Sequence, residues 1–130
     1  MEARHKKLLT SAVGHFWTKR SSQASRQKEA GKADQGNRGA VTGGAQMDGF
    51  ISLFRSVLGE CGLREDEILV KRKLELPGYY RATKEWDLLA IRDKKLLAAF
   101  EVKSQVGSFG NNFNNRSEEA IGSAEDLWIA

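Results

Sequence analysis

The sequence predicts an α/β fold of the α+β kind, a sheet that carries a β-hairpin and is flanked by helices. Three observations predict it. The apolar runs EWDLLAIR and KLLAAFEVK are separated only by Asp93, Lys94 and in one reading Lys95, which is the pattern of a hairpin. Apolar residues recur at helical spacing before this pair and again after it. Pro77-Gly78 marks a turn between an earlier strand and the hairpin.

The elements follow in order. In HKKLLTSAVGHFWTKR, residues Leu8, Leu9, Ala12, Val13, Phe16 and Trp17 fall at helical spacing, so a short amphipathic helix is expected. RSSQASRQKEAGKADQGNRGAVTGGAQ is rich in Gly, Ser, Gln and Lys, with Val41 its only large apolar residue. Such a segment buries too little surface to offset its ordering entropy, which predicts a long loop. Asp48 is placed to cap the next helix, whose apolar face is Phe50, Ile51, Phe54, Val57 and Leu58, with Gly59 and Gly62 ending it. EILVKRKLEL alternates in its middle and predicts a first strand. LPGYYRATK reads as a turn and QVGSFGNNFNN as a polar loop in which Phe113 is an apolar anchor. RSEEAIGSAEDLWIA predicts a helix with Ser117 near its start and Glu118 and Glu119 in its first turn. Trp17, Trp86 and Trp128 are expected in the core, and Cys61 as a small buried residue.

With 130 residues, 40% of them hydrophobic, the chain suits one modest core. Its apolar runs are too short for a membrane span, and residues 1–20 lack the apolar stretch of a secretory signal. A single cysteine excludes an internal disulfide and a Cys-rich zinc site. Cytoplasmic residence is the expectation. Residues 1–46 hold nine Lys and Arg against three Asp and Glu, net +6, whereas residues 47–130 hold twelve against fourteen, net −2. The division expected is therefore a helix with a basic flexible loop over 1–46 and the main domain over 47–130. A basic arm suits a polyanion or is a solvated tail.

The chemistry is expected at the hairpin. Asp87 precedes its first strand's apolar run, and Glu101 and Lys103 end the second. Side chains alternate along a strand, so Asp87 faces Glu101 only if their register permits. A three-residue loop over 93–95 pairs 87 with 101. A two-residue loop pairs 87 with 100 and separates the carboxylates, unless a bulge corrects it. Opposed residues have Cβ atoms about 4.5–5.5 Å apart, and two carboxylates so close repel each other. A divalent cation relieves the repulsion. Mg²⁺ takes one or two carboxylates together with water and phosphate oxygens, and the Val102 carbonyl adds a third protein oxygen. Lys103, on the same face as Glu101, can reach that phosphate, which points to metal-assisted hydrolysis of a phosphodiester. The competing reading is a salt bridge at a strand end. A strand this apolar rarely carries charge without use, which brings the catalytic reading level with that one.

The spacing of Asp87, Glu101 and Lys103 resembles the active-site motif of the PD-(D/E)xK nucleases. The segments HFWTKR, GGAQMDGF, LPGYYRATKEWDLL, AAFEVKSQVG, SFGNNFNNRSEEAIGSA and DLW resemble the XhoI restriction endonuclease family, in that family's order. The resemblance implies a restriction endonuclease core with a central mixed sheet. It also implies a type II enzyme of a restriction-modification system, dependent on Mg²⁺ and acting as a homodimer on double-stranded DNA at a palindrome such as CTCGAG. Asp87, Glu101 and Lys103 become the catalytic residues, and Asp87, Glu101 and Val102 the metal ligands. Trp86 stands where the superfamily motif has proline. By the same resemblance the chain corresponds to the N-terminal part of the enzyme, so that 47–130 is a partial nuclease domain without its final core strand. The alternative function is then a non-catalytic fragment with weak nucleic-acid binding.

Further candidates are contacts to DNA. Gln105, Asn111, Asn112, Asn114 and Asn115 are suited to base edges, since Asn and Gln pair well with adenine. Arg81, Lys84 and Arg116 are suited to phosphates. Glu119, Asp48 and Glu60 are further carboxylates that can lie near the site. His5 and His15 have no partner at metal or nucleophile spacing.

Overall fold

A computed structural model describes residues 3–29, 45–70, 74–104 and 109–130. They form two compact units, Met1–Gly62 and Leu63–Ala130.

The first unit is a helical pair. Helix α1 (Ala3–Glu29) is longer than the sequence predicts. After Gly14 it meets no glycine or proline until Gly31, and Gln, Ala, Arg, Lys and Glu in this stretch favour helix. The remainder of the expected loop, 30–44, lies outside the described residues. A 3₁₀ turn (Ala45–Met47) leads into α2 (Asp48–Glu60). Asp48 is the first helical residue rather than the cap, a position held by Met47 without a side-chain bond. Its charge instead complements the helix dipole. The helices meet closely at Gly49, where a Cβ would lie 2.8 Å from the Ala12 Cα. Phe16 packs edge-on against Phe50, with ring centroids 6.5 Å apart. Ala12, Phe16 and Ile51 are buried, whereas Val13 and Trp17 are exposed, so only one stripe of the predicted apolar face is used. Arg4 and His5 both pair with Glu60, at 2.9 and 2.6 Å. His15 Nε2 makes a hydrogen bond with the Ala45 carbonyl at 3.0 Å.

The second unit carries the sheet. A 3₁₀ turn (Glu65–Glu67) precedes β1 (Ile68–Val70), β2 (Glu75–Leu76), β3 (Lys84–Glu85), β4 (Leu88–Arg92) and β5 (Lys95–Phe100). Helix α3 (Phe109–Ile129) closes the unit. One sheet has the order β1-β4-β5 and a second pairs β2 with β3. All of these pairings are antiparallel, and a parallel partner for the expected mixed sheet is not among the described residues. β4 lies in the middle with Leu88, Leu89 and Ala90 buried. A strand covered on both faces needs a continuous apolar run. The single strand expected over EILVKRKLEL divides into β1 and β2, and the turn expected over LPGYYRATK ends in β3, where Leu76 pairs with Lys84.

Two buried carboxylates fasten this unit. Glu67 receives both Nε and Nη2 of Arg92, each at 2.8 Å, and the Arg64 backbone N–H at 2.8 Å. The Arg92 hydrogen bonds first, then that from the Arg64 backbone, hold its carboxyl down at about 2. Asp126, on α3, is 1% exposed. Its Oδ1 accepts from the Tyr80 N–H at 2.7 Å, its Oδ2 pairs with Arg81 Nε at 2.8 Å, and its carbonyl accepts from the Tyr79 N–H at 3.1 Å. Gly78 lies so close that a Cβ would collide with Asp126 Oδ2. The 78–81 turn is thereby locked to the helix.

Three expectations change. α3 begins at Phe109, so Asn111 to Asn115 lie in helical turns rather than a loop, and Ser117 is well inside the helix. No proline interrupts this segment, and the helix extends to its polar end. Phe113 is 62% exposed and is not an anchor. Of the tryptophans only Trp86 is buried, with Trp17 and Trp128 exposed, and Cys61 is exposed as well.

The turn between β4 and β5 holds Asp93 and Lys94 at φ 52° and 61°, the left-handed pair of a two-residue hairpin. Lys94→Gly removes a Cβ from this unfavourable region and is expected to stabilise the fold by about 1 kcal/mol, read as a higher urea midpoint. The depressed Glu67 carboxyl adds stability that is complete above about pH 4.5 and is lost as pH falls towards about 2. Glu67→Gln is expected to unfold at lower urea than the parent at pH 7. The gap should narrow steadily in urea titrations below pH 4.5.

Candidate active site

The relation of Asp87 to Glu101 depends on the register of the hairpin, which contains one irregularity. Its loop has two residues, so Arg92 pairs with Lys95 and Ile91 with Leu96. Unaltered, this register would set residue 87 opposite residue 100. Between Ala90 and Ile91 the register shifts, and Ala90 pairs with Ala98, Leu89 with Ala99 and Leu88 with Phe100. Leu97 is the extra residue, a β-bulge. Continued past Leu88 and Phe100, where the ladder ends, this register would set Asp87 opposite Glu101. The ladder then passes from backbone to side chain. The Asp87 N–H donates to the Phe100 carbonyl at 3.0 Å, and Asp87 Oδ2 accepts from the Val102 N–H at 2.7 Å. Both carboxylates lie one residue outside the regular strands.

Glu101 is held between two ammonium groups, Lys103 on Oε1 and Lys84 on Oε2. Burial opposes its ionisation more than any single neighbour favours it. Hydrogen bonds and charge from Lys103 and Lys84 together outweigh burial, and its carboxyl titrates below the ordinary glutamate range. The Lys84 side chain is only 11% exposed, and its ammonium sits 4.8 Å from the centre of the Trp86 ring, a cation–π contact. Lys103 is 37% exposed and also approaches Glu119 Oε2 at 3.6 Å. The Glu101–Lys103 pair is what a strand-end salt bridge would show. Such a bridge does not account for the second, buried lysine or for the backbone bond that fixes Asp87.

The oxygens expected to hold a metal are those of Asp87, Glu101 and the Val102 carbonyl, a donor type suited to a hard divalent cation. No group of three or more His, Cys, Asp and Glu is gathered for a metal among the described residues. An ion here would rest on two carboxylates, a usual number for Mg²⁺. A groove of about 510 Å³ runs between β5 and α3, lined by Trp86, Leu97, Ala99, Glu101, Lys103 and Leu127 among others.

The chain matches the sequence model of the restriction endonuclease XhoI over residues 26–130. The chain belongs to the XhoI restriction endonuclease family. It is 54% identical over 109 residues to the type II restriction enzyme BstVI of Geobacillus stearothermophilus, covering 79% of this chain and 49% of that enzyme. With the type II restriction enzyme AbrI of Azospirillum brasilense it shares 51% identity over 130 residues, 98% of this chain and 58% of the relative. With the type II restriction enzyme XhoI of Xanthomonas vasicola it shares 48% over 131 residues, 98% and 52%. The chain spans about half the length of these curated relatives. No solved structure gives a significant match to it.

The residues suggested for DNA contact in this XhoI-family chain are distributed unevenly. Arg81 faces Asp126 and Lys84 faces Glu101, so each already has a carboxylate partner. Arg116 pairs with Glu119 at 2.7 Å. Asn114 and Asn115 are exposed on α3, Asn111 and Asn112 lie in its first turns, and Gln105 is outside the described residues. Sequence reasoning missed the Lys84–Glu101 pair and the Asp126 clamp. The one available signal for the first was a lysine two residues before Trp86 and three before Asp87. For the second it was a carboxylate beside Leu127 in the last turn of a helix.

Deleting Leu97 tests the bulge. The shortened hairpin is expected to pair regularly and to turn Glu101 away from Asp87. Circular dichroism should retain the parent's signal, while Mn²⁺ binding by titration calorimetry should weaken at least tenfold.

Proposed function

We propose that the protein works as a type II restriction endonuclease, hydrolysing phosphodiester bonds in double-stranded DNA at a CTCGAG-like palindrome with Mg²⁺. The observation that carries this reading is the bond from the Val102 N–H to the Asp87 carboxylate, which brings Asp87 to the residue between Glu101 and Lys103. Membership of a family whose named relatives are type II restriction enzymes supports it.

Asp87, Glu101 and the Val102 carbonyl would hold the ion. When bound, Mg²⁺ supplies a Lewis acid for the phosphate and lowers the pKa of a coordinated water. The chain's own residues do the rest. The Val102 N–H orients the Asp87 carboxylate. The two lysines keep Glu101 ionised at neutral pH, below its ordinary range. Lys103, the more exposed lysine, can turn from Glu101 to the scissile phosphate and stabilise the charge that builds there. Asn111, Asn112, Asn114, Asn115 and Gln105 are proposed to approach base edges, and Arg81, Lys84 and Arg116 to add positive potential along the backbone. A homodimer would match the two-fold symmetry of a palindrome. No helix among the described residues is long and apolar enough to cross a membrane, and cytoplasmic action on incoming DNA is part of the proposal.

The test is a plasmid with one CTCGAG site, incubated with the 130-residue chain and, in parallel, with a chain extended to the length of its relatives. A single linear product that requires Mg²⁺ and disappears with EDTA is expected, and Glu101→Ala should lower its rate by at least a hundredfold. Cutting only by the extended chain would favour the second reading, that these residues hold the motif without acting alone. Normal cutting by the extended Glu101→Ala protein would overturn the site assignment.

A further inference from the structure

We propose that Lys84 is a second lysine of the metal site, a fixed counter-charge that holds Glu101 by Oε2 and leaves Oε1 to be released by Lys103. This rests on the metal-dependent reading above and assigns the two lysines different tasks.

Four observations carry it. The lysines take different oxygens of one carboxylate, Lys84 at Oε2 and Lys103 at Oε1, and Oε2 is enclosed from solvent. Their surroundings differ. The Lys84 side chain is 11% exposed against 37% for Lys103, and Lys84 lies on the Trp86 ring at 4.8 Å. The backbone that carries Lys84 is tied on both sides. Leu76 pairs with Lys84 in the short sheet, the Trp86 N–H donates to the Leu74 carbonyl at 2.9 Å, and the turn before β3 is locked to Asp126 through Tyr79, Tyr80 and Arg81. Lys103, in contrast, lies beyond β5 in residues without regular secondary structure and divides its ammonium between Glu101 and Glu119.

A cation approaching Glu101 therefore meets one lysine that can leave and one that stays. The one that stays acts through a medium from which water is largely excluded, where charges interact more strongly. It holds Glu101 in place before an ion arrives, and it limits how tightly the site binds an ion on its own. Lys84 is thus a positioning residue that acts through Glu101.

Mn²⁺ affinity without DNA tests the idea, read by titration calorimetry at pH 8 and by Tb³⁺ luminescence excited through tryptophan, since Trp86 and Trp128 both line the groove. Lys84→Met keeps an unbranched chain on Trp86, and Lys84→Gln serves if that variant unfolds, with circular dichroism and thermal unfolding as the check. Removing the buried charge is expected to tighten Mn²⁺ binding by about fivefold or more, and removing the exposed one, in Lys103→Met, by a smaller factor. Loosened packing alone would weaken binding, so the sign separates the two explanations. Unchanged or weaker binding by a folded Lys84 variant, where the parent binds and Glu101→Ala does not, would overturn the proposal and leave the metal site standing. If the parent's binding were indifferent to Glu101→Ala, the metal reading itself would fall, and this proposal with it.

Discussion

Side chains on paired strands alternate in step, so one residue of register decides whether Asp87 and Glu101 share a face. The site depends on that parity. The tight loop at Asp93–Lys94 alone would set residue 87 opposite residue 100, and the bulge at Leu97 shifts the ladder by one residue. A three-residue loop would have reached the same pairing without a bulge. The route taken keeps the loop short and places the irregularity in β5, which lies at the edge of the three-stranded sheet. An edge strand can bend there without disturbing β4, whose Leu88, Leu89 and Ala90 form the centre of the unit. Bulges favour such edges and the surroundings of active sites for the same reason.

The charges follow a common rule. Glu67, Asp126 and Glu101 are each withdrawn from water and each is matched by nearby cations: Arg92 and Arg64, Arg81, and Lys84 with Lys103. A buried carboxylate without such partners would be costly. Each pair also fixes a joint. Glu67 ties the turn before β1 to the end of β4, and Asp126 ties the turn before β3 to α3. The bidentate guanidinium contact at Glu67 is suited to permanent structure. Glu101 differs in being served by lysines, one of which is exposed enough to exchange partners, a property that suits chemistry better than a closed guanidinium pair.

Much of the candidate site was legible before the fold. The apolar run ending in Glu101 and Lys103, the position of Asp87 and the choice between loop lengths all follow from alternation along a strand. The α+β class and the hairpin followed from periodicity alone. Helix limits were less legible. α1 and α3 both run into polar segments that composition assigned to loops, because composition tests whether a segment can bury surface and a helix can extend beyond its buried face. The exposed tryptophans had the same cause. Trp17 and Trp128 sit at helical spacing with apolar neighbours, yet each helix buries only part of that stripe.

The sequence by itself singled out the candidate residues for the chemistry, because motif spacing and an apolar strand leave few positions for charge. It also determined the family, through long segments shared with its members. Only the tertiary structure decided how those residues meet. Whether the hairpin used a longer loop or a bulge was open until Leu97 was placed. Lys84 looked like a surface cation until β2 and β3 paired and brought it onto Trp86 and Glu101. The physical reason is that local pattern fixes which face a side chain takes, whereas its partner across the fold depends on pairings between segments far apart in the chain.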